Sequence, residues 1–140
     1  MSNIDSIMNM LNWNQPEEVQ AKGRELAKNI KCINVFIRPI NEWLDNNNHM
    51  GYSKEVWDNC ALILCEKSDL ELMPHIRGLF EWLEDLNWPG ALCIWDRLLS
   101  FNDREWLVFW LKRFIEEAST NPHSCWYSSL LKFQEDFKNQ

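Results

Sequence analysis

Residues 81–91 read Glu81-Trp-Leu-Glu-Asp-Leu-Asn-Trp-Pro-Gly-Ala91, and how this stretch is read decides the fold. Before it, Ile76, Leu79, Phe80 and Leu83 recur at i, i+3, i+4 and i+7, one face of a helix, and Leu83 and Leu86 close that stripe. Asn87 then predicts the N-cap of a second helix, with Trp88 and Pro89 in its first turn. Pro89 has no N–H, so the Asn87 side chain is expected to reach the N–H of Gly90. Gly90 and Ala91 are small enough for two helices to pass closely. The stretch is therefore predicted to be a helix–corner–helix unit, with Asn87, Pro89 and Gly90 serving structure. The acids before the corner fit less easily. Glu81, Glu84 and Asp85 lie near a helix C-terminus, where the macrodipole disfavours each by roughly 0.3–1 kcal/mol. Arg77, one turn before Glu81, covers one of them. Asp85 is placed to cap the next helix from outside.

The same periodicity runs along the chain, and no stretch alternates as a strand does. Asn14-Gln-Pro-Glu17 predicts a capped start in which Asn14 caps and Pro16 sits in the first turn. Val19, Gly23, Leu26, Ala27 and Ile30 follow on one stripe. Gly23 within that stripe predicts close approach by a neighbouring helix, because glycine otherwise costs about 1 kcal/mol there. Ile33 to Asp45, broken or started by Pro39, is a further apolar segment, and Asn46–Gly51 is a polar loop. Ser53 is expected to cap a helix carrying Val56, Trp57, Cys60, Ala61 and Leu64, with Leu62, Ile63 and Cys65 on its other faces. Such all-round apolar character belongs at the centre of a fold. Ser68-Asp-Leu-Glu71 is a capping box, and Pro74 should restart the helix that follows it. After the corner, Leu92, Trp95, Leu98 and Leu99 are expected inward. Asn102-Asp-Arg-Glu105 caps a helix bearing Leu107, Trp110, Leu111, Phe114 and Ala118. Asn121-Pro122 opens the last one, with Trp126, Leu130, Phe133 and Phe137.

A weak internal echo joins Leu11-Asn-Trp13, Pro16, Arg24 and Leu26 to Leu86-Asn-Trp88, Pro89, Arg97 and Leu99. The offset approximates two helix-pair repeats. With short connections favouring antiparallel neighbours, the expected fold is all-α: antiparallel helical hairpins stacked as a short HEAT-like α-solenoid or an irregular bundle. Residues 1–140 are expected to form a single helical-repeat domain.

The chain carries 14 basic and 21 acidic residues, a net charge of −7. Residues 55–85 hold most of the excess, which argues against a protein that tracks phosphates and favours a basic protein partner. The longest apolar run, Cys60–Cys65, is too short to cross a bilayer. The N-terminus lacks a basic n-region and a small-residue cleavage site, so a cytoplasmic location is expected, with no membrane partner. Five cysteines (Cys32, Cys60, Cys65, Cys93, Cys125) are an odd number without a CxxC, which suits reduced thiols. His49, His75 and His123 are isolated, and neither a metal site nor a cofactor is expected. Of nine tryptophans, Trp57, Trp95, Trp110 and Trp126 lie on apolar stripes and read as core, while Trp43, Trp82, Trp88 and Trp106 lie at edges or corners.

The run from Glu55 to Ser100 contains V-W-x-N-C-A-x-I-L and then W-L-x-D-L-N-W-P-G-A. It resembles a family of small, all-helical, HEAT-like bacterial domains of unknown function marked by W-L-x-D-(L/M)-N-W-P. The match is residue for residue at Asn87, Trp88 and Pro89, and that family brings no catalytic residues to transfer. Some small acidic domains of similar type look like immunity proteins encoded beside secreted toxins. The resemblance thus implies an immunity-type role.

Three functions follow as expectations. The first is a non-enzymatic helical-repeat module binding a basic protein, as an immunity-type inhibitor of a basic toxin in its narrower form. Its expected surface is Glu81, Trp82, Glu84, Asp85 and Trp88, because edge tryptophans beside charges make hot spots. No catalytic residue is assigned, since the carboxylates lack a visible nucleophile or metal. The alternative is a small-molecule binder or enzyme using a Trp/carboxylate cleft at residues 81–88. The third, nucleic-acid binding through Arg104, Lys112 and Arg113, is disfavoured by charge.

Overall fold

The computed structural model describes residues 3–37 and 54–140. The segment around Pro39, Trp43, the 46–51 loop with His49, and the Ser53 cap lie outside the described residues. Among those described, every regular element is helical and no strand occurs. The chain divides into two compact units, Met1–Lys67 and Ser68–Gln140.

In the first unit, α1 (Asn3–Met10) packs on α2 (Glu17–Ala27), and α2 on α3 (Trp57–Cys65). Gly23 makes the first contact possible: a Cβ there would lie 2.7 Å from Met10 Cβ and 3.1 Å from Leu11 Cδ2. The close approach expected from the sequence is present. The helix start is not as expected, because Pro16 itself is the N-cap and Asn14 makes no cap. Glu17 instead pairs with Arg24. On α3, Trp57, Cys60, Ala61, Ile63 and Leu64 are buried, but Leu62 faces solvent. The helix is thus central on most faces and open on one.

The second unit begins with the Ser68 capping box: Ser68 Oγ accepts the Glu71 N–H and Glu71 Oε1 accepts the Ser68 N–H. The short α4 (Asp69–Leu72) passes through a 3₁₀ turn at Met73–His75 into α5 (Ile76–Glu81). Pro74 restarts the helix, as a residue without an N–H must. A second 3₁₀ turn (Trp82–Glu84) leads to the corner, then α6 (Ala91–Leu99), α7 (Arg104–Ala118) and α8 (Cys125–Lys138). Helices α7 and α8 pack on one another, and α8 packs on the Trp82–Glu84 turn. Phe80 lies edge-on to Phe133 at 5.3 Å and tilted to Phe114 at 5.6 Å, joining α5, α7 and α8. The later caps fall downstream of their expected places. Asp103 caps α7 through the Trp106 N–H, and Ser124 caps α8 through the Tyr127 N–H.

The inward face of α6 is also different. Ala91, Ile94 and Leu98 are buried, whereas Leu92 is 63% exposed and Trp95 and Leu99 are half-buried. Both registers are apolar and helical in spacing. The orientation in which the helix leaves the corner selects between them.

Candidate protein-binding groove

The corner at 81–91 is held by its own residues. Gly90, rather than Asn87, is the N-cap of α6, at φ 85°, a left-handed conformation that glycine adopts without Cβ strain. Asn87 caps nothing. Its backbone N–H donates to Asp85 Oδ1 at 2.9 Å, so Asp85 closes the turn one step earlier. The Trp88 N–H donates to the Asp85 carbonyl at 3.0 Å and the Ala91 N–H to the Trp88 carbonyl at 3.1 Å. Trp82 is 1% exposed, and its indole N–H donates to the Pro89 carbonyl at 2.9 Å. The expectation of an edge Trp82 is overturned: the 3₁₀ turn after α5 rotates it inward, where it pins the corner. Glu81 lies 3.5 Å from Arg77, as its spacing predicted. Glu84 is exposed and Glu81, Asp85 and Trp88 are half-buried, so the expected surface remains accessible except at Trp82.

A concavity lies between the Met73–Ile76 turn with α5 and one face of α7. It encloses about 800 Å³ and is lined by Met73, Pro74, Arg77, Trp106, Trp110, Arg113, Phe114, Glu116 and Glu117, among others. On α7 the aromatics stand at i, i+4 and i+8, successive turns of one face. Trp106 and Trp110 are 6.4 Å apart and Trp110 and Phe114 are 6.0 Å apart, with both tryptophans half-buried. Phe101 stacks on Trp106 at 6.0 Å and 8°, fixing one indole face. Arg77 lies over Phe114 at 5.2 Å and donates to Glu117 at 2.5 Å. Arg113 lies over Phe109 and Trp110 at 5.5 and 5.7 Å. Burial lowers the pKa of His75, which lies within the turn that borders the groove.

Sequence reasoning placed Trp110 in the core and missed the groove. The Trp106-x₃-Trp110-x₃-Phe114 spacing was its visible signal, absorbed into the apolar stripe of which Leu107, Leu111 and Phe114 are indeed buried. It also missed Asn59, buried in the first unit at 3% exposure. Asn59 Nδ2 donates to the Leu11 carbonyl at 2.7 Å and to Gln20 Oε1 at 2.9 Å, while Arg24 donates to Asn59 Oδ1 at 2.5 Å. A lone amide inside an apolar helix was the available sign.

Of the basic cluster, Lys112 and Arg113 are exposed, and two of the three side chains contact aromatic rings. Arg104 donates to the Phe137 carbonyl at 2.7 Å and lies 3.8 Å over the Phe137 ring, and Arg113 covers aromatic faces. Among the described residues no group of three His, Cys, Asp or Glu is placed to hold a metal ion, and no disulfide joins the cysteines. Burial pushes the Cys60 thiol far above its usual range. No helix among the described residues is long and apolar enough to cross a membrane.

A family model described as a domain of unknown function, DUF5071, matches residues 53–136. The chain belongs to that family. The DUF5071 region takes in Asn59, the corner and the whole lining of the groove. No curated protein and no solved structure matches the chain.

Proposed function

We propose that the chain is a non-enzymatic, HEAT-like helical-repeat module that binds another protein, and in its narrower form an acidic inhibitor of the immunity type directed at a basic toxin. The observation that carries this reading is the groove, in which half-buried Trp106 and Trp110 stand beside Phe114 with Arg and Glu at the rim. Tryptophan and arginine in a concave, partly desolvated setting are the residues that dominate binding energy at protein interfaces. At the corner, exposed Glu84 and half-buried Trp88 are the second part of the proposed surface. Helices adjacent in sequence, α1 with α2 and α7 with α8, pack together, which supports the helical-hairpin form.

The test is calorimetric titration with the product of the adjacent gene, together with Trp110→Ala and the triple variant Glu81→Lys, Glu84→Lys, Asp85→Lys. Weakening by about tenfold or more with either variant is expected of hot-spot contacts. A partner bound equally well by both variants removes the reading. The groove volume also favours a small-molecule binder. Saturable stabilisation by one compound in a thermal-shift screen, abolished by Trp110→Ala, would select that alternative.

A further inference from the structure

The groove already binds guanidinium groups, those of its own chain. Arg77 combines an aromatic face with two carboxylates: it lies over Phe114 at 5.2 Å, meets Glu117 at 2.5 Å and stands 3.5 Å from Glu81. Arg113 repeats the aromatic half of this arrangement over Phe109 and Trp110. A guanidinium can lie flat on a ring while its fork takes a carboxylate in the same plane, which an ammonium cannot do. The side chains of Arg77 and Glu117 are 51% and 50% exposed, so the resident pair is open to exchange. Exposed pairs of this kind contribute little net stability, and displacing one is correspondingly easy.

Charge points the same way. Residues 68–140 carry twelve acidic and seven basic side chains, a balance of −5. A field of that sign attracts a basic segment. Trp106, Trp110, Met73 and Pro74 supply apolar contact for the residues flanking the incoming arginine.

We propose that this groove docks an arginine-bearing segment of a protein partner, the incoming guanidinium replacing Arg77 over Phe114 and against Glu117. The inference rests on the protein-binding function above and names the chemistry of that partner.

The probe is a blocked pentapeptide with two arginines, titrated into the full chain while the indole N–H resonances of Trp106 and Trp110 are followed by NMR. Both resonances are expected to shift saturably. The lysine analogue should bind at least about fivefold more weakly, and the uncharged citrulline analogue should not saturate. Arg77→Met vacates the Phe114 face and frees Glu117, and should tighten arginine-peptide binding about three- to tenfold. Adding Glu117→Gln should reverse that gain. Both positions are half-exposed, and far-UV circular dichroism verifies that the variants fold. Equal binding of the three peptides, absence of shifts at Trp106 and Trp110, or an Arg77→Met variant that binds no tighter overturns the proposal. Self-association in sedimentation that Trp110→Ala abolishes also overturns it, because the groove then serves a second copy of the chain. The protein-binding reading fails separately, through a partner whose affinity ignores Trp110→Ala and the corner variant.

Discussion

At position 90 the backbone turns at φ 85°, and any side chain with a Cβ pays for that turn. Gly90→Ala should destabilise the chain by about 1–2 kcal/mol, seen as a lowered urea midpoint at unchanged slope. Trp82 fixes the same corner from within. Trp82→Phe keeps most of the buried ring but deletes the N–H that satisfies the Pro89 carbonyl, and should cost about 1–3 kcal/mol. Its near-ultraviolet circular dichroism should still report a packed core. Asp85 acts on the corner through a side-chain acceptor two residues from its donor, a device written in the local sequence. The sequence also named every residue of this corner, but it misassigned the cap because Asn87 and Gly90 both suit the start of a helix. Only the left-handed backbone at Gly90 separates them.

Among the elements, α4 is the clearest case of a helix held by its ends. It is a single turn, closed by the Ser68 capping box and tied to α6 by Asp69. Asp69 Oδ1 accepts from Arg97 at 2.6 Å and Oδ2 from the Asn102 N–H at 2.9 Å. Burial alone raises the Asp69 pKa, but the Asn102 N–H and Arg97 outweigh it and hold the carboxyl below its ordinary value of 3.8. A folded-state value below the unfolded one stabilises above the unfolded value, and this is lost as pH falls through the folded one. Asp69→Asn is therefore expected to be less stable than the parent at pH 7. The gap should narrow below about pH 4 in urea titrations run across the acid range. On α2, Gly23→Ala would set a methyl 2.7 Å from Met10 Cβ. Backbone displacement should cost about 1–3 kcal/mol and exceed the roughly 1 kcal/mol gained in helix propensity, a balance that thermal unfolding measures.

Across the whole molecule, each unit contains an arginine in the second turn after a Leu-Asn-Trp corner, and each arginine reaches a polar side chain far away in sequence. Arg24 meets Asn59 and Arg97 meets Asp69. The partners lie in opposite chain directions and the corners differ: Asn12 accepts the Asn14 N–H in one, and Asp85 accepts the Asn87 N–H in the other. Replacing Asn59 by Leu removes its bonds to Leu11, Gln20 and Arg24, and should cost about 2–4 kcal/mol. Hydrogen exchange should show the loss in the amides of α1, α2 and α3.

The sequence by itself determined the helical class, most of the helix starts to within a turn, the break at Pro74, the close approach at Gly23 and the pairing of Arg77 with Glu81. Apart from Gly23, whose small size on an apolar stripe marks a helix contact without naming the partner, these depend on interactions within about four residues, where spacing and side-chain type are sufficient. Tertiary structure alone decided which of two apolar registers α6 buries, that Trp82 turns inward, and that Trp106, Trp110 and Phe114 frame a groove. It also decided that Asn59 and Asp69 find arginines 35 and 28 residues away. The physical reason is that an apolar side chain is equally content in either register until a neighbouring helix covers one. A buried polar group likewise has no assigned partner until packing brings one within hydrogen-bonding distance.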